Sequence, residues 1–226
     1  MPLLDYFLKR PPLQHDDMFH FERLYSSILG REKPIELDYE LSAPKWMFLC
    51  YLCETKNVVL HGSANPSILE FEPRQSNDVN EFGNRRAVYA ASDGIWPMYF
   101  AIVNRERISL LLNSCFGIRQ ENGAATDYYY YFSVDQDALL HDPWRNGTIY
   151  ILPRDTFEQQ EPLQRQGMRL DSTQWASPIA VKPLAKLVVT PDDFPFKQQM
   201  NGHDPQLIAE RSRRNPEGFP WRDRLD

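Results

Sequence analysis

Helical patterns stand at the front of this chain and short β-rich runs fill the rest, without the strict alternation that builds a doubly wound sheet. That order predicts an α+β fold. The first helical pattern starts at Asp16 and Asp17, whose carboxylates suit an N-cap, and runs to about Leu29. It carries Phe19, Leu24 and Ile28 as an apolar face and stops at Gly30. The second is capped by Ser42, has Pro44 near its first turn and spans Lys45 to Glu54. Strands are expected at Val58–Leu60, Ala87–Ala91, Ser109–Ile118, Tyr128–Val134, Thr148–Leu152 and Ile179–Val189. One further helix, from about Gly94 to Asn104, has Ser92 or Asp93 as cap and Pro97 in its first turn. The polar stretch Gln75–Arg86 reads as a mobile loop. The tail from Pro195 reads as an arm packed on the surface or partly disordered. The resulting division is an N-terminal helical extension (1–57), a core (58–194) and a C-terminal arm (195–226).

A length of 226 residues suits one elaborated domain. A hydrophobic fraction of 42% with 13% aromatics is enough to build a core. The net charge of -6 excludes non-specific attraction to nucleic acid, which would need a local basic patch. Three cysteines give no complete disulfide framework and suit a reducing compartment; Cys50 and Cys53 lie in an apolar run and read as core. No run approaches the ~20 apolar residues of a membrane span, and the first residues do not read as a signal peptide. The expected location is cytoplasmic, with no membrane partner.

Two motifs carry chemistry. In Leu60-His61-Gly62-Ser63 a histidine leaves the end of an apolar strand and a glycine follows. The imidazole can bond a sugar hydroxyl, the glycine lets backbone approach a flat ligand, and the serine adds a polar group. The plainer reading is a strand end with a turn glycine and a packed histidine. In Val88-Tyr89-Ala90 through Trp96-Pro97-Met98-Tyr99-Phe100, a strand presents a tyrosine and a helix brings aromatics that can enclose a planar ring. At that spacing Trp96, Tyr99 and Phe100 can equally form one helix face in a core. The tyrosine run Tyr128–Tyr131 places two rings on each face of a strand, which suits core plus surface better than a stacking platform. His15, His20 and His203 form no recognisable metal set.

In order and spacing, His61-Gly62-Ser63 followed by Val88-Tyr89-Ala90 and an aromatic helix resemble the poly(ADP-ribose) polymerase branch of the ADP-ribosyltransferase superfamily over roughly residues 58–104. The resemblance implies a split β-sheet core that holds NAD. His61 would hold the nicotinamide ribose and Gly62 backbone the carboxamide. Tyr89 with Tyr99 or Phe100 would enclose the nicotinamide ring. The chain departs where Trp96-Pro97-Met98 replaces the family's small-polar helix start. It also resembles RNA 2'-phosphotransferases at Arg85-Arg86-Ala87-Val88-Tyr89, without their two histidines, so Arg74, Arg85 and Arg86 are expected to face a pyrophosphate. The family's glutamate near a late strand is missing; Gln174 stands before Ile179–Val189, and Glu158 and Glu161 are weaker candidates. The implied activity is transfer of one ADP-ribose from NAD to a macromolecular acceptor, protein or nucleic acid. Its alternative is a non-catalytic module that binds NAD, ADP-ribose or a partner protein. A toxin, a defence factor and a housekeeping regulator all fit that reading.

Overall fold

A computed structural model describes residues 4–13, 17–31, 33–76, 81–120, 126–165 and 167–222, and the chain they form is α+β. In chain order the elements are Leu8–Lys9 (β1), Met18–Ser26 (α1), Ile35–Glu36 (β2), Lys45–Thr55 (α2), Val58–Ser63 (β3), Arg74–Gln75 (β4), Arg86–Ala91 (β5), Trp96–Ile102 (α3), Leu112–Arg119 (β6), Thr126–Asp135 (β7), Gln136–Leu140 (α4), Gly147–Pro153 (β8), Glu158–Gln159 (β9), Leu163–Arg165 (β10), Met168–Ser172 (β11), Gln174–Ser177 (β12), Ala185–Val189 (β13), Asn201–His203 (β14) and Pro205–Arg214 (α5). One sheet runs β2-β13-β8-β3-β5-β12-β9, with β4 beside β5. The other runs β1-β7-β6-β11-β10, with β14 beside β7. Among the described residues the pairings are antiparallel except β2 with β13 and β14 with β7.

Apolar positions decide this arrangement. Every residue from Trp46 to Cys53 in α2 is buried, as expected of a helix that is apolar on all sides. It shares one core with α3, with Leu60, Ile149, Ile151 and Leu187 of the first sheet, and with Cys115, Tyr130, Phe132 and Val134 of the second. A smaller core on the opposite face of the first sheet holds Val59, Phe71, Val88, Tyr150, Leu152, Phe157 and Val181. The three cysteines are free and buried, and burial pushes their thiols up.

Helix α3 runs only from Trp96 to Ile102 with Ile95 at its cap position, so neither Ser92 nor Asp93 stands there, but Asp93 anchors the approach to it. The Asp93 carboxylate is buried; Oδ1 accepts from the amides of Ile95 (2.9 Å) and Trp96 (2.7 Å), and Oδ2 accepts from the Tyr130 hydroxyl (2.6 Å). The helix lies against the sheet at backbone distance. A Cβ on Gly62 would sit 1.8 Å from the Pro97 carbonyl oxygen, and one on Gly147 would sit 2.1 Å from that of Ala101.

Several expectations need correction. Helix α1 ends at Ser26, and Asp17 makes no side-chain cap bond; Asp16 and His15 lie outside the described residues. The cap position of α2 is Pro44, not Ser42. The late strand is shorter, Ala185–Val189. Ahead of it Val181 makes only an isolated bridge to Phe71, and Pro183, which lacks an N–H, falls between. The stretch Gln75–Arg86 holds ordered pieces: Arg74–Gln75 pairs with β5 and Phe82–Asn84 forms a 3-10 turn, while residues 77–80 lie outside the description. Of the two readings of the C-terminal stretch, the packed arm fits the described residues. Asp204 caps α5 through the amides of Gln206 and Leu207, and Ile208 is buried with Leu112 and Tyr131. No helix among the described residues is long and apolar enough to cross a membrane.

Candidate functional site

Strand β3 reaches the site by pairing along its whole length with β8, from Val58 opposite Pro153 to Ser63 opposite Thr148. The Arg154 amide donates to the Asn57 carbonyl (3.2 Å), which fixes the alternation. His61 and Ser63 therefore bond to β8, while Leu60 and Gly62 turn their N–H and C=O toward β5. On that side the ladder holds a single pair, Leu60 with Ala91. Beyond it the strands separate, and β5 takes β4 as its neighbour at Ala87 and Arg86. Gly62 thus faces a gap in the middle of the sheet and has no ladder partner there.

His61 fills part of that gap. Its Nδ1 lies 2.7 Å from the Tyr89 carbonyl oxygen, which can only accept, so Nδ1 carries the hydrogen and Nε2 is left as an acceptor. Among the described residues Nε2 has no partner, and it is not one of the sealed polar atoms. The ring packs on Phe71, centroids 4.7 Å apart. Burial lowers the pKa of the imidazole below its ordinary 6.5. The Tyr89 carbonyl opposes the shift, and the charges of Arg105 and Arg74 add to it.

Tyr89 is half-buried, and its hydroxyl is engaged with the 3-10 turn. It accepts from the Arg85 amide (2.8 Å) and lies 3.0 Å from the carbonyls of Phe82 and Arg85. Only its ring is left for a ligand. Tyr99 is corrected outright as a ligand wall. It is 0% exposed, its hydroxyl donates to the Ser133 carbonyl (2.8 Å), and its ring packs on Phe132. Phe100 and Trp96 are the half-exposed aromatics of α3, 5.9 Å apart, with the Arg105 guanidinium over Phe100 at 5.6 Å. Gly62 is needed for a different reason from the one expected. The space of its missing side chain is filled by α3, not kept open for a ligand. Ser63 is half-buried, and its Oγ accepts from the Asn65 amide (3.1 Å).

Gln174 was expected ahead of the late strand but instead opens a strand of its own. β12 lies directly beside β5, with Gln174 opposite Ala91 and Ala176 opposite Tyr89. His61, Tyr89 and Gln174 therefore stand on three adjacent strands. Gln174 is half-buried, and its side-chain amide has no partner among the described residues. The carboxylate nearest in register is Glu158, opposite Ala176 on β9 and so two strands from Tyr89. It pairs with Arg85 Nη1 at 3.4 Å, and both are exposed beside a cleft of about 140 Å³ lined also by Arg86, Ala87, Ala176 and Pro178. Arg85 also lies 4.2 Å over the Phe82 ring, and Arg86 Nε donates to the Pro73 carbonyl (3.4 Å). Two of the three expected phosphate-binding arginines thus already have protein partners, while Arg74 has none among the described residues.

One further constellation escaped the sequence. Ser133 Oγ lies 2.6 Å from His203 Nδ1, and His203 Nε2 lies 3.5 Å from Asp135. Ser133 is 0% exposed and also contacts the Asn201 carbonyl (3.1 Å), so it tethers β14 to β7 and cannot meet a substrate. No group of His, Cys, Asp and Glu among the described residues is arranged to hold a metal. Comparison with known proteins finds no matching family model, no matching curated protein and no matching solved structure.

Proposed function

We propose that the chain has an ADP-ribosyltransferase-like split-sheet core and transfers a single ADP-ribose from NAD to a macromolecular acceptor. The observation that carries this reading is the gap between β3 and β5. There Gly62 turns backbone toward Tyr89 and the His61 imidazole leaves Nε2 as an acceptor on the Phe71 side of the sheet, while Phe100 lies partly buried on α3, which packs on the other side. Gly62 would hold the carboxamide, His61 Nε2 would accept from a ribose hydroxyl, and Phe100 would meet the nicotinamide ring. In the reaction the bond between ribose C1' and the pyridinium nitrogen breaks. Its electron pair leaves with neutral nicotinamide, and the acceptor's nucleophile attacks C1' and gives up a proton. Tyr89 stands on β5 at the gap and Gln174 on the next strand, β12, where it would bond a ribose hydroxyl.

A second reading has its own support. Gln174 carries no charge to stabilise the developing cation, which favours a module that binds NAD or ADP-ribose without cleaving it. Calorimetry with NAD and mass spectrometry for released nicotinamide test both. Transfer predicts binding and release, both lost in His61→Ala and Phe100→Ala and kept in Tyr99→Phe. Binding without release supports the second reading. Absence of binding at millimolar NAD defeats both.

A further inference from the structure

The C-terminal segment lies on the second sheet with few anchors. Across residues 201–222 only His203, Ile208 and Pro220 are buried. Ile208 packs with Leu112 and Tyr131, and the Phe219 ring stands 5.4 Å from that of Tyr131 and 6.3 Å from that of Phe7. Strand β14 gives only three residues to β7. His203 is the polar anchor. Its Nδ1 lies 2.6 Å from Ser133 Oγ, whose hydroxyl donates to the Asn201 carbonyl (3.1 Å), so Nδ1 carries the hydrogen and Nε2 is bare. Nε2 is sealed from solvent and has no hydrogen-bond partner among the described residues; Asp135 Oδ1 is 3.5 Å away. Both oxygens of that carboxylate are already engaged. Oδ1 accepts from the Leu110 amide (3.1 Å), and Oδ2 accepts from the Ser109 amide (2.6 Å) and hydroxyl (2.7 Å). The cluster satisfies a neutral imidazole and sets no free acceptor at bonding distance for a second N–H.

The charged groups around the ring are few. Asp135 faces it from β7 and Asp204 follows it in the chain, and both favour a cation. The connection from α3 to β6 brings only Ser109 and Leu110, α4 turns the uncharged Gln136 toward Gly202, and Arg222 is bound to the Asn201 side chain. Burial outweighs the two carboxylates and lowers the pKa of His203 below its ordinary 6.5.

We infer that His203 pins an acid-released latch: residues 201–222 stay on the second sheet while the imidazole is neutral and lift away when it takes a proton, uncovering Phe7, Leu112 and Tyr131. Lifting returns the ring to water, so the open form binds the proton that the closed form refuses. The latch is fully shut above pH 6.5 and loosens as the pH falls from there through the closed-state value. For one such group the open-to-closed ratio rises by at most about tenfold between pH 7.5 and 5.5.

The test is hydrogen–deuterium exchange on the whole chain at about pH 7.5 and 5.5, read as protection factors. The amides of β14 and α5 should be less protected than those of the β3–β8 ladder at both values. On acidification their protection should fall roughly five- to tenfold. The fall should persist in His61→Gln, which leaves the latch intact, and vanish in His203→Gln, whose side chain takes no proton. Should His203→Gln fail to fold, the wild type still decides: an NMR titration of the histidine side chains should place His203 below 6.5. The latch is overturned if β14 and α5 exchange only together with the β3–β8 ladder, or if their protection is the same at both pH values. It is equally overturned if the fall survives in His203→Gln, or if His203 titrates at or above 6.5.

Discussion

Replacing Gly62 with alanine would put a methyl carbon 1.8 Å from the Pro97 carbonyl oxygen, 2.8 Å from its carbon and 3.1 Å from the Ala101 nitrogen. Ordinary contact begins near 3.4 Å, so the shortest approach must lengthen by about 1.6 Å. All three contacts are main-chain atoms, and no side chain can swing away. Either α3 or the end of β3 must move. Helix α3 is also held by Met98, Tyr99 and Ile102, all 0% exposed, and a Cβ on Gly147 would meet its Ala101 carbonyl oxygen at 2.1 Å. Overpacking of a core typically costs about 1–3 kcal/mol, and a clash against backbone belongs at the upper end. At about 3 kcal/mol, a chain of this size should lose roughly 6–12 °C in Tm. Chemical denaturation with urea, followed by circular dichroism, gives the difference directly, with an unchanged slope if the unfolded state is unaffected. The shift would also displace Phe100, so on the proposed reading any NAD affinity should fall together with stability. A Gly62→Ala protein within 0.5 kcal/mol of wild type would refute the claim that this glycine exists to admit the helix.

Two other outcomes follow from the core. Asp93→Ala removes the acceptor of the Ile95 and Trp96 amides at the approach to α3 and leaves the buried Tyr130 hydroxyl without its acceptor, for a loss of about 2–4 kcal/mol; Tyr130→Phe removes only one bond and should cost about 1 kcal/mol. Equal losses in urea denaturation would show that the two amide bonds contribute nothing of their own. Burial holds both His61 and His203 below their ordinary 6.5, so the unfolded chain takes up protons that the folded chain refuses. Their contribution to stability is complete above pH 6.5 and is lost as the pH falls from there through the folded values. The urea midpoint should therefore be lower at pH 5.5 than at pH 7.5, and the difference should shrink in His61→Gln; a midpoint that rises on acidification would contradict the assignment.

The unit from β5 to α3 was readable because its signals are local. Val88 and Ala90 alternate with Tyr89 along a strand, Asp93 takes the amides of Ile95 and Trp96 just ahead of the helix, and Pro97 falls in the first turn. β9, β10, β12 and β14 were not readable, because they are two to four residues long and their pairing is decided by partners far away in sequence. Glu158 and Gln159 are both exposed and show no apolar alternation, yet they extend the sheet beyond Gln174. Helix α5 did leave a mark, Asp204-Pro205 with Ile208 behind it, which the polar composition of the tail concealed. At the site, the two segments meet, but the His61 imidazole reaches the Tyr89 carbonyl and not its ring, because alternation sends the two side chains to opposite faces. The burial of Tyr99 was not legible, because Tyr99 and Phe100 are neighbours and only the packing of α3 decides which ring turns inward. The engagement of Arg85 with Glu158 is likewise a product of β9 reaching the sheet edge.

The break between β3 and β5 makes the sheet incomplete in its interior, where another molecule cannot add a whole strand. A group that paired with the Gly62 main chain there would need one hydrogen to give and one oxygen to receive, at the spacing of a main-chain amide. A primary amide on an aromatic ring has that form. A molecule bearing one would stand in for a residue that the sheet lacks, and its ring would project away from Gly62 as a side chain does from a strand.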